Sequence, residues 1–125
     1  MNLDNKTNKL ITKLIRLTND DKLEWTVKDA PKTLTRGTDD IIPLFFEAKY
    51  KDKWVAIYQK RYQDFYIETE SFYWTEKIVF AVLDREDRVL WEINKHSPAL
   101  VDLLETVREK TAGIDELLND LLEDE

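Results

Sequence analysis

The run Ile78-Val79-Phe80-Ala81-Val82-Leu83 restricts the folds open to this chain more than any other feature. A continuous series of β-branched, aromatic and aliphatic side chains, with no polar residue to face water, predicts a central strand covered on both faces. Such a strand needs neighbours in a sheet and further layers above and below it. The flanking sequence supplies both. Leu44, Phe46, Ala48 and Tyr50 fall on one face of an alternating segment, Lys51-Asp52-Lys53 make a turn, and Trp54 to Tyr58 return. That pattern predicts a β-hairpin, without a glycine in its turn. The strand extends through Lys60, Arg61 and Tyr62, where its register is left open. On the other side, Arg85-Glu86-Asp87-Arg88 turn the chain, and Val89, Trp91 and Ile93 alternate with Leu90, Glu92 and Asn94 in a second hairpin.

Upstream, Leu23, Trp25 and Val27 alternate with charged and hydroxyl residues, the period of a half-buried strand. Residues 29–43 hold two of the three prolines and one of the two glycines, and predict the long loop of the domain. Phe65 to Trp74 is aromatic and acidic without clean periodicity, and is read as an extended segment or irregular connection.

Helices frame the strands. Leu10, Ile11, Leu14, Ile15 and Leu17 share one helical stripe, with Asp4 or Asn5 as cap and Thr18-Asn19-Asp20-Asp21 as the stop. Near the other end, Ser97 followed by Pro98 is a helix start, because the serine oxygen accepts an orphan N–H and proline loses no bond at the first helical position. Leu100, Val101, Leu103, Leu104 and Val107 continue that helix. Gly113 either ends it or weakens it, and Ile114, Leu117, Leu118, Leu121 and Leu122 resume the spacing in an acidic helix over about 114–125. The expectation is one α+β domain spanning 1–125. It has an N-terminal helix, an antiparallel meander of four to five strands, and a C-terminal helix or helix pair packed on the sheet.

The stretch from Trp91 to Leu122, with LWEIN followed by SPALVDLLETVREKTAGIDELLNDLL, resembles the C-terminal pattern of a group of small uncharacterised bacterial proteins. In that group a tryptophan-containing strand leads to a leucine-rich helix, a break, and a short acidic helix. The Leu23–Val27 strand and the YKDKWVAIYQKRY hairpin extend the likeness. It implies a bacterial domain of this architecture and no activity, since its motifs are built from core positions.

Composition narrows function by exclusion. Without cysteine there are no disulfides, thiolate metal sites or thiol nucleophiles. The N-terminal residues lack a secretory pattern and no run of about 18 apolar residues occurs, so a cytoplasmic location away from membranes is the expectation. Only Gly37 and Gly113 are glycines, too few for a phosphate-binding loop. No cofactor or metal is expected. The net charge of −7 disfavours nucleic acid, although the sign is divided along the chain. The first 66 residues carry 13 basic and 10 acidic side chains, the remainder 6 and 16.

Five groups of residues stand out. His96 beside Ser97 is a conceivable acid–base pair, read instead as a loop histidine next to a cap. Glu68, Glu70 and Glu76, among the rings of YIETESFYWTE, are a cation- or ligand-binding patch, the acids of a carboxylate-dependent enzyme, or else, as the preferred reading, a solvated strand edge. Asp84, Glu86 and Asp87 lack the spacing of a calcium loop and are read as a charge-compensated turn. Lys49, Lys51, Lys53, Lys60 and Arg61 interleave with Tyr50, Trp54, Tyr58, Tyr62, Phe65 and Tyr66. Within the first hairpin, Tyr50, Trp54, Tyr58, Lys60, Arg61 and Tyr62 form a face for a protein partner or, alternatively, for single-stranded nucleic acid. Leu117, Leu118, Leu121 and Leu122 complete the partner-binding set, docked either on their own sheet or in a partner's groove. The functional expectation is a non-enzymatic interaction module with a protein partner or a second copy of itself.

Overall fold

The computed structural model describes residues 3–123. Helix α1 (Leu3–Asn19) leads into β1 (Trp25–Lys28), then β2 (Phe45–Tyr50), β3 (Lys53–Tyr66), β4 (Ser71–Leu83) and β5 (Val89–Ile93), and the chain ends in α2 (Pro98–Ala112) and α3 (Ile114–Glu123). The strands form one antiparallel sheet in the order β1-β2-β3-β4-β5, so every connection is a local hairpin or loop. The α+β meander expected from the sequence is the architecture observed.

The Ile78–Leu83 run lies in β4, between β3 and β5, and is covered on both faces as its composition demands. Phe80 joins Phe46, Val55 and Ile57 in a core beneath α1 and α2, together with Ile11, Leu14, Leu100, Leu103 and Val107. Val79, Ala81 and Leu83 face the other way and form a second core with Phe45, Ala56 and Tyr58. Among the described residues no α-helix covers that second face. The long loop does so, placing Ala30, Leu34 and Ile42 on it around a single 3-10 turn at Lys32–Leu34. Thr33 ties the loop to the β4–β5 turn by donating its hydroxyl to the Asp87 carbonyl at 2.6 Å.

Helix boundaries follow local chemistry. Asp4 and Asn5 fall inside the first turn of α1 and not before it. Asp20 and Asp21 end the helix, Asp21 in a left-handed conformation with φ of 58°. The Ser97 hydroxyl accepts the Ala99 N–H at the start of α2, as expected. Gly113 resolves as a C-cap at φ 63°, its N–H reaching the Glu109 and Lys110 carbonyls, so α2 and α3 are separate helices.

Three details depart from the periodicity. Leu23 is buried ahead of β1 and not within it. The pairs Leu83↔Val89 and Val82↔Trp91 skip Leu90, a β-bulge that turns Val89 and Trp91 to opposite faces although alternation had put them on one. Of the two readings left open for residues 65–74 the extended one holds, but without the alternation of a strand: they are the far half of the β3–β4 hairpin, paired through Tyr66↔Ser71 around a turn at residues 67–70.

Candidate functional site

The two central strands outrun their neighbours. β2 follows β3 only as far as Phe45↔Tyr58, and β5 follows β4 only as far as Ile93↔Phe80. From Arg61 to Tyr66 and from Ser71 to Glu76 the hairpin therefore stands as a two-stranded finger. At about 3.3 Å per residue, the six residues from Arg61 carry its tip roughly 20 Å past the body of the sheet. Its base is clamped. Ile41 and Arg61 exchange both backbone hydrogen bonds at 2.8 Å, and Lys60 meets Asp40 at 3.7 Å.

Residues opposite one another in an antiparallel pair share a face, which sorts the finger's side chains. On the helix side lie Phe65, Phe72 and Trp74, with Arg61 against Glu76 at 3.7 Å. The loop side carries Tyr62, Tyr66 and Tyr73 with Asp64, and Lys77 sits over the Tyr62 ring at 4.9 Å. Phe65 meets Phe72 edge-on at 5.2 Å, and Tyr66 meets Tyr73 at 6.0 Å. These contacts stiffen the finger without burying it: Phe72 is 68% exposed, Trp74 51% and Ile67, at the tip, 80%. Partial desolvation among the rings, with the Asp64 carboxylate 3.4 Å from its hydroxyl, holds the Tyr73 phenol above its ordinary pKa. Between Arg61 and Lys77 there are two bases and four acids, so the finger is mildly acidic.

The residues singled out from the sequence are divided by this geometry. Tyr58 is withdrawn from any surface: it is 2% exposed and stacked on Phe45 at 5.4 Å. Burial, with a smaller contribution from Glu92, pushes its phenol well above the usual tyrosine pKa. Tyr50 and Trp54 are half-buried at the opposite end of the sheet from the finger, Tyr50 against the helix-side core and Trp54 against the loop-side core. Lys60 is engaged by Asp40. Of the hairpin set only Arg61 and Tyr62 belong to the finger. Sequence reasoning counted Phe65 and Tyr66 among the rings that interleave with basic residues, but assigned neither them nor Phe72, Tyr73 and Trp74 to a paired strand, because consecutive rings erase the period-2 signal. The density of strand-favouring rings on both sides of a charged turn was the available clue.

Leu117, Leu118, Leu121 and Leu122 do not dock on their own sheet. They lie on one stripe of α3 and are 48–64% exposed, and no residue of α3 is buried. Asp124 and Glu125, counted with this acidic segment, lie outside the described residues.

The remaining candidates do not converge. Glu68 and Glu70 occupy the tip turn, whereas Glu76 is on the strand in its pair with Arg61. Ser97 is engaged in capping, and exposed His96 flanks shallow clefts. Asp84 accepts the Glu86 and Arg88 backbone N–H groups and the Arg88 guanidinium at 2.6 Å, and the Arg88 backbone bond above all holds its carboxyl below the usual range. The β4–β5 turn is thus the charge-compensated structure expected. A polar cleft of about 430 Å3 beside it mixes Lys28, Lys49 and Arg85 with Glu47 and Asp87. Among the described residues no three acids or histidines are grouped to hold a metal ion, and no helix is long and apolar enough to cross a membrane. Compared with protein-family models, curated proteins and solved structures, the chain matches none of them.

Proposed function

We propose that the protein is a non-enzymatic interaction module that engages a partner protein through the β3–β4 finger. One observation carries this reading: five of the 14 aromatic rings, Phe65, Tyr66, Phe72, Tyr73 and Trp74, stand on the finger 42–68% exposed, whereas Phe45, Phe46, Tyr58 and Phe80 are buried to within 3%. Leaving apolar ring surface in water forgoes about 25 cal/mol per Å2, so a surface of this kind gains most when a second molecule covers it. Trp, Tyr and Phe are also the side chains that anchor protein interfaces, since they bring large area with few rotatable bonds. The outer edges of the finger add unpaired backbone groups to which an extended segment can bond as a further strand. Its mild acidity favours a partner with a basic rim and weighs against phosphate backbones.

The test compares the wild-type chain with the double variant Phe72→Ala/Trp74→Ala in affinity capture from cells. The expected result is a partner retained by the wild type and lost by a variant with an unchanged circular dichroism spectrum. Identical retention by both proteins, or quenching of tryptophan fluorescence by oligonucleotides at low salt, overturns the reading in favour of another surface or a nucleic-acid ligand.

A further inference from the structure

We infer that the chain forms a symmetric homodimer in which α3 of each copy lies in a groove on the other copy, at the end of the sheet away from the finger. The groove runs between α1 and the ends of β2, β3 and β4. Leu10, Leu14 and Leu17 line one wall and Tyr50, Val55 and Val82 the other, around about 280 Å3 of space. Trp91, paired with Val82 and 41% exposed, continues the apolar strip along the sheet. Its charged groups are those of Lys13 and Lys53, and neither makes an ion pair among the described residues.

Helix α3 is the complement of that groove. Its four half-exposed leucines form a stripe, and helical geometry sets Asp115 and Asp120 along the two edges of the stripe, with Glu116 and Glu123 behind. It carries no basic residue. An amphipathic helix laid in an apolar groove is a common mode of recognition, and here two lysines on the groove meet two aspartates on the helix.

The occupant comes from a second copy because the connection is too short for the chain's own helix. Lys110, near the end of α2, contacts Asp21 at 3.1 Å, and Thr111 lies beside Thr18. Thr7, Asn8 and Ile11 face the start of α2. Helix α2 therefore flanks the side of α1 away from Leu10, Lys13 and Leu17. Gly113 alone separates α2 from α3, so α3 has no slack to cross the roughly 10 Å width of α1. A two-fold pair makes the contact twice and leaves both fingers free. The inference is independent of what the finger binds.

Sedimentation velocity on the full chain at about 1 to 100 μM, in physiological salt, tests it. The wild type is expected to sediment at twice the mass of the chain. Leu117→Asp/Leu121→Asp is expected to weaken association at least about 100-fold with its helical signal retained. Lys13→Glu/Lys53→Glu and Asp115→Lys/Asp120→Lys are each expected to be monomeric alone and to form a heterodimer when mixed, because in the mixed pair both contacts again join opposite charges. A monomeric wild type at the highest concentration overturns the inference. So does a dimer that survives both leucine substitutions, one abolished by Phe72→Ala/Trp74→Ala, or a pair of charge variants that does not recombine.

Discussion

Replacing Phe72 or Phe80 by alanine removes the same side chain from the same strand, and the structure assigns the two very different costs. Phe80 is 1% exposed in the core beneath the helices, where a Phe→Ala cavity costs about 3–5 kcal/mol. Phe72 is 68% exposed, so only a third of the burial value of a large apolar side chain, about 0.5–1 kcal/mol, is at stake. Its edge contact with Phe65 adds about 0.5–1 kcal/mol. The sum is about 1–2 kcal/mol, or about 3–8 °C in melting temperature for a domain of this size, against more than about 10 °C for Phe80→Ala. Calorimetry and urea titration of the isolated protein give both numbers. Equal destabilisation by the two substitutions would show that the finger is packed against something in the isolated protein, and the case for its availability to a partner would fail.

Three further outcomes follow from single residues. Tyr58 has its folded pKa raised above an unfolded value near 10, so the unfolded chain ionises first and stability falls as pH rises from there; Tyr58→Phe is expected to remove most of that alkaline loss in urea titrations at pH 9 to 11.5. Asp84 has its folded pKa lowered, so its contribution is present above about pH 4 and disappears as pH falls through the folded value. Asp84→Asn is expected to flatten the acid limb of the stability profile, and an unaltered limb refutes the assignment. Gly113→Ala meets no steric neighbour but holds a left-handed backbone, so a loss of about 1 kcal/mol is expected in chemical denaturation, from the backbone alone.

Much of the architecture was legible because local chemistry and burial point the same way. The apolar run in β4 required cover on both faces, and Ser97-Pro98 and Gly113 mark helix ends through backbone bonds that any context would need. Period-2 alternation located the first hairpin for the same reason. It failed at Val89 and Trp91, where a bulge inserts one residue, and over Phe65 to Trp74, where rings occupy both faces and no alternation survives.

What sequence alone determined is the set of segments and the face on which each side chain stands, since those depend on neighbours a few residues away. Whether a face is covered depends on how far strands extend beside one another and on what a loop or helix reaches. Hence only the tertiary structure could place Tyr58 in a core, leave Phe72 and Trp74 in water on a finger beyond β2 and β5, use residues 29–43 as a cover, and hold the leucines of α3 away from the sheet. Rings of one chemical kind were assigned to core or contact surface by strand length and chain path, which no local pattern records.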